Sequence, residues 1–272
     1  MPKIQANGID IYYDVKGAGE PLLLIAGFAC DLTIWGKVVA SLAEKYQVIA
    51  FDNRGVGRSS APDNPYSIRQ MAEDAAVLLD MIGIPQAHVA GHSMGGMIAQ
   101  ELALAHPKKV RSLMLLASRA KPDERSKAII ESWGELPRLV DRVTAARLSL
   151  PWIYTHRFYA RPGAIQQVID LILKNPYPPP PHGIYHQSRA VSSFDSSGRL
   201  GEIRCPTLVL VGNKDILVPV AFSEELVQGI PGAELVVLDE TGHGMLIETP
   251  EAVAQAMLDF LARNAGKRFF PP

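Results

Sequence analysis

Short apolar runs alternate with helix-type patterns along the first part of this 272-residue chain. Residues 22–26, 47–51 and 110–117 are largely apolar, which is typical of strands buried on both faces of a sheet. Residues 67–81 place apolar side chains along one helical face, and Ser67 is suited to cap that helix. Because strands alternate with helices, the pattern predicts an α/β fold with a mostly parallel central sheet flanked by helices.

The alternation stops over residues 119–200, which contain no convincing strand. Three segments there have a helical pattern: residues 123–133, 137–148 and 163–174. Four prolines at 178–181 predict a short extended stretch between two of these helices, with a solvated linker as the alternative. The earlier pattern then returns in three segments: a strand at 207–211, a strand at 234–238 and a helix at 250–263. We therefore predict one α/β core, residues 1–118 and 201–272, interrupted by a helical lid.

Composition and charge exclude several classes of protein. The chain has 27 Lys and Arg against 28 Asp and Glu, without a long run of one sign, so we expect no nucleic-acid partner. No apolar stretch approaches the roughly 20 residues of a membrane-spanning helix, and residues 1–8 lack the apolar segment of a signal peptide. Cys30 and Cys205 are too few for a disulfide scaffold, so we expect free thiols and a cytoplasmic location. Monomer and homodimer both stay open.

Residues 91–95 read Gly-His-Ser-Met-Gly, a G-x-S-x-G pattern between a predicted strand at 87–90 and a predicted helix at 94–105. In such a turn the serine takes a strained conformation, and small residues are needed on both sides of it. The turn lifts the Ser93 hydroxyl clear of the sheet, at a helix N-terminus whose N–H groups stabilise a developing oxyanion. The pattern therefore predicts that Ser93 is a catalytic nucleophile.

A serine nucleophile needs a general base near neutral pH, and seven histidines are available. His243 lies between two glycines just beyond the last predicted strand, on a loop suited to carry an imidazole back over the sheet. Asp215 follows the strand predicted at 207–211, at the carboxyl edge of the sheet. A carboxylate at that place orients an imidazole and stabilises its charged form. The order Ser93, Asp215, His243 therefore predicts a catalytic triad.

Other residues compete for these two roles. Asp239 is the main alternative acid because it is close to His243 in sequence, and Glu240 is a weaker one. His92 adjoins the serine, but its side chain is expected to point away and to serve positioning or packing. The remaining histidines are less suited, because they fall inside a strand, at a helix end or in the insertion: His88, His106, His156, His182 and His186.

The oxyanion of an acyl-transfer reaction needs two hydrogen-bond donors. Met94, the residue after the nucleophile, is expected to supply one through its backbone N–H. Phe28, in the loop after the strand at 22–26, is expected to supply the other. This prediction rests on position, because the main chain and not the side chain donates.

With these motifs the chain resembles the α/β-hydrolase superfamily over residues 22–261. The match includes the loop at 51–59, Phe-Asp-Asn-Arg-Gly-Val-Gly-Arg-Ser, and the closing Gly-His at 242–243. The run Ser-Met-Gly-Gly-Met at 93–97 and Trp35 make the chain most similar to small bacterial esterases and 3-oxoadipate enol-lactonase-like hydrolases. The resemblance implies the α/β-hydrolase fold with a helical cap.

One residue departs from the pattern of that family. Many relatives have His-Gly where this chain has Ala26 followed by glycine, so the polarity of the acyl pocket is less predictable. The residues and the resemblance together predict a serine hydrolase that cleaves an ester or lactone of a small apolar molecule through an acyl-enzyme, without metal or cofactor. Perhydrolysis, C–C bond hydrolysis and acyl transfer are alternatives for the same triad, and a triad-retaining small-molecule receptor is another.

Two weaker motifs carry no site. Gly-Val-Gly at 55–57 lacks the third glycine and the following helix of a dinucleotide loop, and Asp52 and Arg54 are expected to hold this loop by ion pairing and hydrogen bonds. His182 and His186 are four residues apart without a third ligand nearby, so no zinc site is predicted.

Aromatic residues of the insertion either line an apolar substrate pocket or pack the lid on the core. Trp133 and Trp152 are the candidates for substrate binding, and Phe158 and Tyr159 belong to the same group.

Overall fold

A single sheet runs through the centre of the protein in the computed structural model, which describes residues 2–264. Its strands are β1 (Lys3–Ala6), β2 (Ile9–Lys16), β3 (Glu20–Ile25), β4 (Tyr46–Phe51), β5 (Ala87–His92), β6 (Val110–Leu116), β7 (Thr207–Gly212) and β8 (Glu234–Leu238). Their order across the sheet is β1-β2-β4-β3-β5-β6-β7-β8. β2 pairs antiparallel with both β1 and β4, and the remaining neighbours are parallel, so the predicted α/β class with a mostly parallel sheet is confirmed.

The apolar runs form the middle of this sheet. β5 and β7 are buried at every residue, as expected of strands covered on both faces. The parallel register aligns Leu23 with Val89 and Val89 with Leu113, so these strands end at a common edge. The turns that follow β5 and β7 therefore lie at the same edge, on either side of the end of β6, which is where open α/β sheets place their sites.

Helices cover both faces of the sheet. They are α1 (Gly36–Leu42), α2 (Ile68–Met81), α3 (Met94–Ala105), α4 (Glu124–Leu139), α5 (Arg142–Ile153), α6 (His156–Tyr159), α7 (Ala164–Lys174), α8 (Pro181–Ser192), α9 (Val220–Gly229), α10 (Met245–Glu248) and α11 (Pro250–Asn264). Leu78 and Ile98 belong to the apolar core between one face and the helices α2 and α3. Trp35 and Phe260 belong to the core on the other face, under α1 and α11. No helix within residues 2–264 is long and apolar enough to cross a bilayer.

Several boundaries differ from the sequence prediction. β1 has only four residues, three of them at least partly exposed, so its pattern is too short to be recognised. Leu32–Trp35 is a 3₁₀ turn, capped by the Asp31 side chain, and α1 follows it directly. The predicted helix at 67–81 is present as α2, with Ser67 Oγ accepting a hydrogen bond of 3.1 Å from Gln70 N.

The helices α4 to α8 lie between β6 and β7, where the lid insertion is predicted. Their boundaries differ from the predicted ones, because α4 continues through Pro137 and the break comes at Asp141. Asp141 caps α5 by accepting hydrogen bonds from Val143 N and Thr144 N. Of the proline run, Pro180 is extended and Pro181 is the first residue of α8.

Candidate active site

Ser93 occupies the turn between β5 and α3 and has positive backbone dihedral φ, 56°, with ψ of −118°. A non-glycine residue pays conformational strain of about 1–3 kcal/mol there, which the surrounding packing has to offset. The neighbouring glycines are required by space: a Cβ on Gly91 would lie 2.1 Å from Gly95 O, and one on Gly95 would lie 2.1 Å from Ile25 O. The strained turn holds the Ser93 hydroxyl at the N-terminus of α3.

His243 lies within hydrogen-bond distance of both Ser93 and Asp215. His243 Nε2 is 3.0 Å from Ser93 Oγ, and His243 Nδ1 is 2.8 Å from Asp215 Oδ2. Both the imidazole and the carboxylate are buried. Because the carboxylate oxygen only accepts, Nδ1 carries the proton and Nε2 offers its lone pair to the serine hydroxyl. This is the geometry in which an imidazole removes a proton from the hydroxyl.

Asp215 is itself held by the backbone. Its Oδ1 accepts hydrogen bonds from Leu217 N at 2.9 Å and Val218 N at 2.7 Å, in the turn that follows β7. The other oxygen is left for His243. The carboxylate is thus fixed in position before any substrate binds.

The alternative acids point elsewhere. Asp239 Oδ1 accepts a hydrogen bond of 2.6 Å from Asn213 Nδ2, and Glu240 pairs with Lys214 and Arg157 on the surface. Neither carboxylate is an alternative partner for the His243 imidazole in this structure, since Asp215 occupies the place at Nδ1.

The loop that carries His243 is fastened by two contacts that the sequence did not suggest. Glu248 is buried and accepts hydrogen bonds from Gly242 N and from Thr155 N, both at 2.7 Å. Gly244 N donates to Ile153 O at 2.9 Å. Because Ile153 and Thr155 lie between β6 and β7, the segment α5–α6 holds the histidine loop directly. No local pattern around residue 248 marks this role.

His92 also holds the loop that carries His243. Its Nε2 donates to the backbone carbonyl of His243 at 3.0 Å, and the two rings lie 5.0 Å apart. Burial lowers the pKa of His92 to about 3, so the ring stays neutral. The side chain therefore positions His243, in agreement with the sequence prediction.

The loop after β3 lies against the serine turn. A Cβ on Gly27 would lie 3.3 Å from Ser93 Cβ, and both Phe28 and Met94 line the cavity that contains Ser93. Side chains from two other segments hold this loop by hydrogen bonds. Asn53 Nδ2 donates to Ala26 O at 3.0 Å, and Ala29 N, at a residue with φ of 56°, donates to Gln187 Oε1 at 2.9 Å.

A cavity of about 30 Å³ adjoins Ser93. Most of its lining is apolar and comes from the strand ends, α4, α8 and the turn after Asp215; its residues include Phe28, Met94, Met97, Ile130, Val191, Leu217 and Val218. A water needs about 10–15 Å³ of such space, so this cavity by itself has room for about two water molecules. The polar residues of its lining are three serines and Arg119: Ser93, Ser118, Ser126 and Arg119.

Neither candidate tryptophan is part of this cavity lining. Trp133 packs against the apolar core under α2 and α3, and Trp152 lies beside the Arg125 guanidinium, 5.4 Å from its ring centroid. The sequence placed both residues in the insertion but could not show which helix face meets the cavity, because that depends on the packing partner. The aliphatic residues Ile130 and Val191 take the lining position instead.

The remaining polar motifs hold the fold together. Arg54 forms its ion pair with buried Asp74, at 2.5 Å. Asp52 accepts hydrogen bonds of 2.8 Å from Leu32 N and Arg58 N, and burial raises its pKa.

The two histidines of α8 bind the loop that precedes α2. His182 Nε2 lies 2.8 Å from Ala61 O, and His186 Nε2 lies 2.7 Å from Asp63 Oδ1. Over residues 2–264, no three His, Cys, Asp or Glu side chains converge as metal ligands.

Known proteins resemble this chain over nearly its whole length. A family model described as the alpha/beta hydrolase fold matches residues 20–250. A protein of Azorhizobium caulinodans described as carbamate hydrolase RutD is 34% identical over 260 residues, which are 96% of this chain and 98% of that protein. A thermophilic esterase from Thermogutta terrifontis, solved with malate bound, has a TM-score of 0.87 at 30% identity, covering 97% of this chain and 98% of its own. The enol-lactonase from Burkholderia xenovorans LB400 has a TM-score of 0.87 at 27% identity, covering 96% and 100%.

Proposed function

Since the chain belongs to the alpha/beta hydrolase family and is a hydrolase, we propose that it cleaves a carboxylic ester or lactone of a small molecule through an acyl-enzyme on Ser93. The observation that carries the proposal is the continuous line of contacts from Ser93 Oγ through the His243 imidazole to Asp215 Oδ2. The esterase and enol-lactonase of similar structure support this substrate class.

In the first step, Ser93 Oγ attacks the substrate carbonyl while His243 Nε2 takes the hydroxyl proton. The imidazole becomes positively charged, and the Asp215 carboxylate at Nδ1 stabilises that charge without accepting the proton. Because both side chains are buried and already hydrogen-bonded, little reorganisation is needed during the step.

The negative charge that develops on the carbonyl oxygen needs donors in fixed positions. We assign this role to the backbone N–H groups of Phe28 and Met94, two residues that line the Ser93 cavity. Met94 is the first residue of α3, so the positive end of the helix dipole adds to its donor strength. One such donor contributes about 3–4 kcal/mol in comparable sites.

The second half of the reaction reverses the proton transfers. His243 protonates the leaving alcohol, and the acyl group stays on Ser93. Water then enters, gives its proton to Nε2 and attacks the ester carbon, after which Ser93 Oγ leaves as the restored hydroxyl. Ile130 of α4 and Val191 of α8 line the cavity, so we assign the selection of the substrate's acyl group to the lid helices.

Hydrolysis of a carbamate is the second candidate function. It is favoured by the 34% identity to the protein described as a carbamate hydrolase. The same three residues would carry it out, because a carbamate also presents a carbonyl carbon with a leaving group.

Substitution of the nucleophile tests the mechanism. Ser93→Ala should lower kcat for an aryl ester, a lactone and an aryl carbamate by about 10³-fold or more, because the covalent step is lost. A fluorophosphonate should label Ser93 in the wild-type enzyme, as mapped by mass spectrometry. Ser132→Ala is a matched control, since that hydroxyl only bonds Ala128 O within α4. Wild-type turnover in Ser93→Ala, or a label on another residue, would contradict the proposed nucleophile.

The substrate panel separates the two candidate functions. A kcat/KM for the carbamate at least tenfold above that for esters and lactones of equal size would favour the carbamate. The opposite order would favour the ester or lactone. Neither order affects the assignment of Ser93.

A further inference from the structure

Arg119 places a positive charge in the wall of the Ser93 cavity. It comes three residues after the end of β6 and is only 5% exposed, yet it lines the same cavity as the nucleophile. The cavity has no other charged residue in its lining. A buried guanidinium in an apolar wall is unusual, because arginine is almost never fully buried unless it is paired.

The partners of Arg119 inside the protein are neutral. One terminal nitrogen donates to Ser126 Oγ, and the other donates to Leu217 O at 2.8 Å. The guanidinium lies over the Phe222 ring, 4.7 Å from its centroid. Among residues 2–264, Arg119 has no carboxylate in ion-pair contact. Of its five N–H donors, these two hydrogen bonds use two.

This arrangement costs free energy that a bound anion would offset. Burial lowers the pKa of Arg119 to about 10, which still leaves the group charged at pH 7. The charges around it act only at longer range: Asp215 and Asp123 favour the charged form, and Arg125 opposes it. A desolvated cation without a direct counter-ion is costly, whereas a carboxylate matches the planar fork of a guanidinium with two parallel hydrogen bonds.

We propose that Arg119 forms an anion subsite of the active site, so that the substrate carries a carboxylate beside the ester, lactone or carbamate carbonyl that Ser93 attacks. The inference rests on the proposed function of Ser93 and adds the charge of the substrate to it. The proposal replaces the apolar substrate expected from the sequence with an anionic one, because an apolar molecule would leave the Arg119 cation unpaired.

A purely structural role is the alternative that the test has to separate. Arg119 bonds Leu217 O, and Leu217 N bonds Asp215 Oδ1, so the arginine also braces the turn that holds the acid. Loss of a brace would slow all substrates alike. Loss of an anion subsite would slow only substrates that carry the negative charge.

The experiment compares 4-nitrophenyl hydrogen glutarate with 4-nitrophenyl methyl glutarate, in which a methyl ester masks the carboxylate. The wild-type enzyme should show a kcat/KM about tenfold or more higher for the anionic ester. Arg119→Met should lower kcat/KM for the anionic ester about 10- to 100-fold and leave the methyl ester within about threefold. Ser93→Ala supplies the background rate, because a neighbouring carboxylate speeds spontaneous hydrolysis.

Two further variants complete the comparison. Arg119→Lys should restore part of the anionic preference, since it keeps the charge and loses the fork. Arg125→Met is the matched control. It removes an exposed guanidinium of α4 that donates to Ile216 O, the carbonyl next to the Leu217 O that Arg119 bonds, and Arg125 does not line the cavity. It should leave the ratio of the two kcat/KM values unchanged.

The outcomes separate the two proposals. Equal losses on both esters in Arg119→Met, or a wild-type preference for the methyl ester, would overturn the anion subsite. The wild-type measurement decides even if Arg119→Met does not fold. Turnover of either ester that depends on Ser93 would support the nucleophile in every case, so a failure of the subsite is distinct from a failure of the proposed function.

Discussion

Asp215 shows how completely one side chain of the site is fixed. Each of its oxygens has a different task, because Oδ1 accepts two backbone N–H groups and Oδ2 faces His243 Nδ1. The carboxylate therefore determines which nitrogen of the imidazole carries the proton. The effect on the serine is indirect, but it decides whether Nε2 is an acceptor.

The variant Asp215→Asn tests this role. If Oδ1 keeps its two backbone bonds, the amide NH₂ faces His243 Nδ1, which must then accept, and the proton moves to Nε2. We expect kcat to fall about 10³- to 10⁴-fold with a smaller change in KM, as measured by steady-state kinetics.

Asp239→Asn is the matched control for that variant. It removes the charge of the alternative acid, whose contact is with Asn213. Its kcat should stay within about threefold of the wild type. If Asp239→Asn lost more activity than Asp215→Asn, the assignment of the acid to Asp215 would be wrong.

At the scale of elements, helix α8 of the predicted lid takes part in shaping the proposed oxyanion site. Gln187 is fully buried; its Oε1 accepts from Ala29 N and its Nε2 donates to Arg54 O at 2.8 Å. The amide thus joins the loop after β3 to the loop after β4. Because Ala29 has φ of 56°, the loop beside Phe28 is strained and depends on such contacts.

We expect Gln187→Met to lower kcat about tenfold or more while KM changes less than about threefold, because two buried polar groups lose their partners and the Phe28 N–H shifts. Affinity for a boronic acid that mimics the tetrahedral intermediate should fall in parallel with kcat. A general loss of folding would not produce that parallel.

Gln166→Met provides the control for Gln187→Met. The Gln166 side chain donates to Asp170 on the exposed face of α7 and has no part in the proposed oxyanion site. Equal kinetics in Gln187→Met and the wild type would show that α8 does not position the loop.

The elements themselves were predictable to different degrees. The helix at 94–105 and the strand at 234–238 lie where the sequence predicts them, since propensity, period and flanking turns agree. The break between α4 and α5 was misplaced because Pro137 suggested a boundary, whereas the side-chain cap of Asp141 sets it.

At the scale of the whole molecule, stability should depend on pH through buried histidines. Burial holds the pKa of His92 at about 3, against an ordinary value of 6.5, and burial also lowers the pKa of His88. Between about pH 3 and pH 6.5 the unfolded chain binds a proton at residue 92 and the folded chain does not. The free energy of unfolding therefore rises with pH over this range and falls as pH drops below 6.5.

Urea denaturation at several pH values between 4.5 and 8 tests this dependence. His92 alone should cost about 2–3 kcal/mol of unfolding free energy on going from pH 6.5 to 4.5. His92→Gln should show a shallower slope, because residue 92 no longer titrates. Parallel curves for the two proteins over this range would refute the assignment.

The sequence by itself determined the α/β class and predicted the strained Ser93 turn, because both follow from period and from small residues that only a tight turn requires. It also proposed Asp215 and His243 by their order along the chain. Only the tertiary structure brought Arg119, Gln187 and Glu248 to the site. Their contacts depend on how distant segments pack, as with Ala29 and Gln187, which are 158 positions apart, and no local pattern encodes such a distance.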